Sequence, residues 1–450
     1  MRGSRSGRRA AALVLFVAAA VVACTRRPET PAPAPAGPGS ESSATPAASP
    51  AGSASTPAEY VGSRVCAGCH ETETTLWQQS DHALAMQKAA DGTVLGDFHA
   101  RRVTAQSVVS TFDRTKVDAK DGGFRVTTDG PDGRLATFKV AYTFGVQPLQ
   151  QYLVEFPGGR YQALGLAWDS RPAKAGGQRW FHLYPRDKID HRSPLHWSAP
   201  DQNWNYMCAE CHSTDLRRGY DATANTYATT WKEINVACEA CHGPGSRHVA
   251  WAGTLEGDDP GLAVRFTKRD PAAWGFDGVH PTVTRAAAAP AFDAALETCA
   301  RCHARRGWVW EEVRPGAPIA DSHRVALLDA SLYYDDGQIR DEVYEYGSFL
   351  QSRMHHAGVT CADCHEPHSG KVRAAGNLLC AQCHLPSHFD APAHHHHKEG
   401  SAGAQCVACH MPQRNYMVVD PRRDHSLRVP RPDLDATTGA PDACTACHAN

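Results

Sequence analysis

Sixteen of the 17 cysteines in this 450-residue chain stand in eight Cys-x-x-Cys pairs, and a histidine follows each pair directly. The motifs are Cys66/Cys69/His70, Cys208/Cys211/His212, Cys238/Cys241/His242, Cys299/Cys302/His303, Cys361/Cys364/His365, Cys380/Cys383/His384, Cys406/Cys409/His410 and Cys444/Cys447/His448. Residues three apart on a helical turn share a face, so both thiols can reach the two vinyl groups of one porphyrin. The next histidine then enters beneath the iron as an axial ligand. The pattern is that of covalent haem c attachment, and eight haems are expected. Zinc is the competing chemistry for Cys-x-x-Cys, but it takes four ligands from two pairs and does not require an adjacent histidine at every pair.

Seventeen further histidines remain for the sixth coordination positions. Ranked by position relative to the motifs, the candidates are His82, His248, His323 and His368. Next come His355 or His356 (His355 taken for the set), His388, one of His394 to His397 (His395 taken) and His425. Supply exceeds demand, so every iron can be bis-histidine, a ligation without the potential-raising axial methionine. Met86, four residues after His82, is read as packing. No motif has lysine in place of its histidine, and no GxSxG, Walker or GxGxxG pattern occurs.

The elements that carry these motifs differ along the chain. Arg2, Arg5, Arg8 and Arg9 precede an apolar run from Ala10 to Ala23, the order of a secretory signal. The run is too short to span a bilayer, which takes about 20 residues. Residues 1–23 are therefore expected to be a lipoprotein-type signal peptide, with Cys24 as the lipidated first residue and the chain exported to the periplasm on a bacterial membrane. Residues 24–58 are mostly Pro, Ala, Gly, Ser and Thr and read as a disordered tether. Residues 59–96 form the segment of the first haem, 97–200 a β-rich insertion, and 201–450 a seven-haem region.

In the insertion, Phe124 to Thr128 and Leu135 to Phe144 flank the turn Asp129-Gly-Pro-Asp-Gly133. Tyr152 to Phe156 and Tyr161 to Trp168 flank Pro157-Gly-Gly-Arg160. Two hairpins in one small antiparallel sheet are predicted. Further on, Ile339, Val343, Tyr346, Leu350 and Met354 recur with helical spacing ahead of Gly358, which predicts one longer helix. Aromatic residues make up only 8% of the chain and 30 residues are proline, so side chains alone fill little interior, and the macrocycles are expected to supply the remaining core. The net charge of -2 leaves no basic excess for a phosphate backbone, which argues against a nucleic-acid partner.

The stretch Cys238-Glu-Ala-Cys-His-Gly-Pro-Gly-Ser-Arg-His248 resembles the CxxCHGPGxxH signature of the superfamily that contains hydroxylamine oxidoreductase and its tetrahaem electron acceptor. Trp77-x-x-Ser80-x-His82-Ala83, the segment Gly358 to His368, and Arg423-Asp-His425 resemble the doubled-CXXCH multihaem cytochromes, some of which carry tetratricopeptide repeats. Together these stretches reach across most of residues 60–450. The resemblance implies a mainly α multihaem fold, short helices around a stacked haem core, with the small β insertion as its exception. It also implies parallel and perpendicular haem pairs and makes His248 a sixth ligand by motif match. Relatives that reduce nitrite often use lysine below the catalytic iron, which is absent here. Three readings follow: an electron carrier between donor and acceptor redox proteins, an oxidoreductase acting on a small nitrogen or sulfur oxyanion (nitrite, hydroxylamine or tetrathionate) at one open iron, and an interaction scaffold.

Overall fold

The computed structural model describes residues 57–114, 123–266, 269–288, 290 and 292–448. The expected signal peptide, Cys24 and the tether up to residue 56 lie outside the described residues.

The architecture overturns the expected mainly α class. Helix accounts for 24% of the chain and strand for 22%, and the strands build a large, nearly closed antiparallel sheet. Its strands are β1 (Met86–Lys88), β2 (Arg101–Ala105), β3 (Val108–Arg114), β4 (Phe124–Asp129), β5 (Leu135–Phe144), β6 (Leu149–Phe156), β7 (Arg160–Ala163), β8 (Leu166–Asp169) and β9 (Arg179–His182). The order is β2-β3-β4-β5-β6-β8-β9, with β1 on β5 and β7 on β6, and the edge strands β2 and β9 come back together. The physical reason is the absence of any motif between His70 and Cys208. A segment without a macrocycle must make its own core, and alternating aromatic and β-branched residues do so as strands.

That core is explicit. On β4, Phe124, Val126 and Thr128 point inward. Phe98 sits amid Phe112, Phe124, Tyr152 and Trp180, each at a centroid distance of 5.1 to 5.6 Å and edge-on. Phe112 stacks on Trp180 at 3.7 Å. The buried Tyr152 hydroxyl accepts from the Gly96 amide and donates to Gln150 Oε1, both at 2.9 Å, so its polarity is satisfied inside an apolar shell. Asp169, whose side chain is fully buried, accepts two hydrogen bonds from the Arg171 guanidinium.

β6 is buried on both faces from Leu149 to Val154. Its second face, with Met86, Phe144, Leu153 and Ala163, packs on Trp204 and Ala209, which flank and enter the second motif. Asn203 caps the short helix Trp204–Met207, and Asn205 bonds Tyr161 N, Gly159 O and Thr229 Oγ1, which ties that helix to the sheet. The sheet is thus a platform under the second motif. Met86 belongs to this packing.

Outside the sheet the helices are short, and most of them hold one motif or one candidate ligand. The longer helix expected over Ile339 to Met354 is two separate turns, Tyr346–Phe349 and Arg353–His356. Tyr344 takes a positive φ of 59° and Ser352 caps the second turn through His355 N, so the chain breaks where the apolar period continues.

Residues 59–85 dock on residues 233–246 although the sheet lies between them in sequence. The Glu239 carboxylate accepts from Val61 N, Gly62 N and Gly245 N, and Trp77 Nε1 donates to Val236 O. Asn235 Nδ2 donates to Ala83 O. The first and third motifs are therefore built as one unit, and the sheet leaves and re-enters it.

Candidate functional site

Each motif occupies roughly one turn. Cys238–His242, Cys361–Cys364 and Cys406–His410 are single-turn helices, and Cys299 to His303 end the longer helix Ala294–His303. All sixteen motif thiols are free. Among the described residues no cluster of three or more His, Cys, Asp and Glu side chains is arranged to hold a metal ion on its own.

The thiols differ in cover. Thirteen are half-buried, but Cys69 in the first motif and both Cys444 and Cys447 in the last are exposed. The reason at Cys69 is local. The helix that carries Cys66 is only Ser63–Ala67, so Cys69 falls in the turn after its end. Its amide still donates to Cys66 O at 3.1 Å, and the His70 amide donates to the same carbonyl at 3.0 Å, so the motif keeps its single-turn geometry with its second thiol in solvent.

The histidines are arranged in facing pairs. Numbering the sites by motif order, His70 faces His248 at 6.1 Å between ring centroids (site 1), His242 faces His368 at 6.5 Å (site 3), and His303 faces His82 at 6.2 Å (site 4). His365 faces His425 at 6.5 Å (site 5), His410 faces His394 at 6.0 Å (site 7), and His448 faces His397 at 5.9 Å (site 8). Each pair joins one motif histidine to one other. An iron about 2 Å from each of two trans imidazole nitrogens separates the ring centroids by about 6 Å. The six gaps fit haem iron.

The remaining ring nitrogens agree. A ligating histidine normally donates its other N–H to a carbonyl or carboxylate, which frees the inner nitrogen for the metal. Here Nδ1 of His248 bonds Pro260 O (2.8 Å), that of His365 bonds Gly370 O (3.1 Å), that of His425 bonds Arg423 O (3.0 Å) and that of His410 bonds Arg428 O (2.9 Å). His397 Nδ1 bonds the His395 carbonyl. His303 Nδ1 meets Glu345 and His368 Nδ1 meets Glu366, both at 3.0 Å. Burial pushes His242 and His212 down to about 4, which holds them neutral, the form that binds metal. His303 moves the other way, up to about 9: burial lowers it, but the Glu345 hydrogen bond and charge together with the neighbouring Cys302 and Cys299 outweigh burial.

Several buried donors have no partner among the described residues: His212 Nδ1, Arg285 Nε and Nη1, Arg301 Nε and Arg218 Nε. A buried guanidinium nitrogen without an acceptor is costly, and haem propionates are the acceptors that such sites would meet.

Not every candidate ligand takes part in a pair. His323, 2% exposed, is bonded at Nδ1 to Ser322 and at Nε2 to Glu210, so neither nitrogen is available. His388 lies edge-on to Phe389, and His355 touches Phe349 and His356. His395 braces His397, whose amide it accepts at 3.1 Å, so the members of the four-histidine run that face motif histidines are its outer two, His394 and His397. Among the described residues His212 and His384 face no second imidazole at a comparable distance. Phe144 stands edge-on to His212 at 5.8 Å and Phe389 to His384 at 5.3 Å.

Thiol contacts give the adjacency of the sites. The thiols of Cys66 and Cys238 lie beside each other, as do those of Cys211 and Cys302, Cys299 and Cys361, and Cys380 and Cys406. Cys241 feels the charges of Cys299 and Cys302, Cys364 that of Cys383, and Cys409 those of Cys444 and Cys447. The order is 1-3-4-5-6-7-8, with site 2 branching at site 4.

The sequence matches the family model described as cytochrome c554 and c-prime over residues 65–111 and 180–243. The match takes in the first three motifs and passes over residues 112–179, most of the sheet. No curated protein matches. Among solved structures, the outer cell wall cytochrome OcwA shares the fold with a TM-score of 0.54 and 17% identity, over 87% of this chain and 84% of that one. The undecaheme cytochrome from the S-layer of Carboxydothermus ferrireducens (TM-score 0.40, 18% identity) and the octaheme sulfite reductase MccA of Wolinella succinogenes (0.34, 15%) align with 87% and 82% of this chain. In each case 58% of the other chain is covered. The eight motifs, the family match over these two stretches and the OcwA-like fold are together consistent with a multihaem c-type cytochrome.

Proposed function

We propose that the protein is an exported octahaem c-type cytochrome, lipid-anchored through Cys24 on a bacterial membrane, that passes electrons in the periplasm between a donor and an acceptor protein. The observation that carries this reading is the set of six histidine pairs 5.9 to 6.5 Å apart. A haem held from both sides by protein imidazoles has no free position for inner-sphere chemistry, while one-electron outer-sphere exchange stays open. In each exchange one iron goes from ferrous to ferric as its neighbour goes from ferric to ferrous. The thiol contacts supply a continuous series of neighbours for it, from site 1 to site 8. The exposed thiols Cys69, Cys444 and Cys447 fall at the two ends of that series, where a partner protein would have to approach. No helix among the described residues is long and apolar enough to cross a membrane, so attachment in this reading rests on the lipid.

The test has two parts. The mature protein should carry the mass of eight haems, and dithionite followed by ferricyanide should reduce and reoxidise all of them in stopped-flow absorbance. A mass of seven haems or fewer in fully matured protein, or haems that neither reagent reaches, would remove the reading.

A second reading has its own observation. His212 and His384 meet phenylalanines where the other six motif histidines meet imidazoles. An iron bound there from one side only would take a small oxyanion such as nitrite or a small ligand such as carbon monoxide, which makes sites 2 and 6 the places where reduction of such a substrate would occur.

A further inference from the structure

The axial histidines do not all have the same kind of hydrogen-bond partner. At site 5 both imidazoles donate to main-chain carbonyls, Gly370 O and Arg423 O, and at sites 1, 7 and 8 the partners found are likewise carbonyls. At site 4 the motif histidine His303 meets the Glu345 carboxylate, and at site 3 the distal histidine His368 meets that of Glu366. Sites 3 and 4 are also adjacent, and site 4 is the branch point that touches sites 2, 3 and 5.

A carboxylate draws the imidazole proton more strongly than a carbonyl does. The ring becomes a stronger donor to iron and a negative charge comes to rest near the metal, and both effects favour ferric over ferrous iron. The Glu345 carboxylate accepts from His303 Nδ1, whereas Glu366 accepts from both His368 Nδ1 and Ser369 N, which spends part of its charge. The effect is therefore larger at site 4.

We infer that Glu345, and more weakly Glu366, act as positioning residues that hold haems 4 and 3 below the other bis-histidine haems in potential, so that the branch point is the centre that electrons leave most readily. The inference rests on the reading of the facing histidines as axial ligands. Electrons entering at either end would then collect on the flanking haems and cross the junction by short uphill steps. Haems 3 and 4 would remain oxidised until the others had filled.

The test is a redox titration of the holoprotein followed by low-spin EPR, with Glu345→Gln, Glu345→Asp and Glu366→Gln compared with the parent. The expected result is that Glu345→Gln moves the lowest midpoint upward most, with a smaller shift at site 5, whose His365 and His425 also lie in the field of Glu345, that Glu345→Asp restores most of it, and that Glu366→Gln moves a second midpoint by less. Unshifted midpoints in both glutamine variants, with a full haem load, would overturn the inference. If Glu345→Gln does not mature, Glu366→Gln alone decides it. His82→Ala checks the underlying reading separately: it should turn one low-spin haem high-spin, and an unchanged spin state there would remove the ligand assignment itself.

Discussion

The sheet and the motif-bearing segments fill their interiors in opposite ways. In the sheet, Phe98, Phe112, Tyr152 and Trp180 are 8% exposed or less and touch one another directly. Across the motifs the cysteines and histidines are mostly half-buried, the imidazoles face each other across gaps, and guanidinium nitrogens of Arg285 and Arg301 are buried without acceptors among the described residues. The first region is complete as polypeptide. The second is a mould whose shape makes sense around a macrocycle, and the difference shows that one chain can stabilise one part by side-chain packing and another by covalent cofactor.

Chemical removal of the haems should separate the two regions most sharply. Hydrogen exchange should show residues 101–182 still protected and residues 238–448 exchanging freely, because only the second region loses its core. Equal loss of protection in both would break the comparison.

Phe98→Ala is the counterpart within the sheet. Removing the ring at the centre of four aromatic neighbours should cost about 3 to 5 kcal/mol there, read as faster exchange of β3, β4 and β6 with the haem spectrum unchanged.

Asp169→Asn should come next, at about 2 to 3 kcal/mol at neutral pH. Burial works against the Asp169 charge, but the Arg171 hydrogen bonds outweigh it and its pKa lies below the ordinary carboxylate value. The stabilisation is therefore fully present above that ordinary value, about 4, and is lost as pH falls through the depressed one. Exchange of β8 and β9 in parent and variant should converge in acid. A gap that widens toward low pH would contradict the sign.

Gly243→Ala is the smallest and most local change. Gly243 ends the third motif at φ 77° and ψ -177°, a region kept for glycine, and an added Cβ would lie 2.8 Å from the Ala263 Cβ. The cost is about 1 to 3 kcal/mol. Because this turn leads into the helix Ser246–Thr254 that carries His248, part of haem 1 should become high-spin in EPR.

The covalent sites are legible in the sequence because their chemistry is contiguous: five residues specify each one. What those five residues leave open is how deeply a site is enclosed, since Cys66 and Cys69 share a motif yet only the first is half-buried. Hairpins with explicit turn residues are legible too, and Asp129 to Gly133 joins β4 to β5 where the alternation places it. The hairpin of β2 and β3 escapes notice because Gln106 and Ser107 take the positive-φ positions without a glycine. The helix expected at Ile339 to Met354 fails because a helical period also arises from successive turns that bury Val343 and Phe349. Most sixth ligands cannot be read by proximity. His82 follows the first motif but faces the fourth, His368 follows the fifth but faces the third, and His323 is beside a motif yet serves Glu210. Only the tertiary fold brings such pairs together.

The most direct test of the account is a quantitative EPR spin count on the fully oxidised protein, made alongside its haem mass. Six facing pairs and two motif histidines that meet phenylalanine predict eight haems, six low-spin and two high-spin, with only the two high-spin signals altered by nitrite. Fewer than six low-spin irons would contradict the ligand pairing on which the carrier reading is built, whereas eight low-spin irons would remove only the second reading, of open positions at His212 and His384.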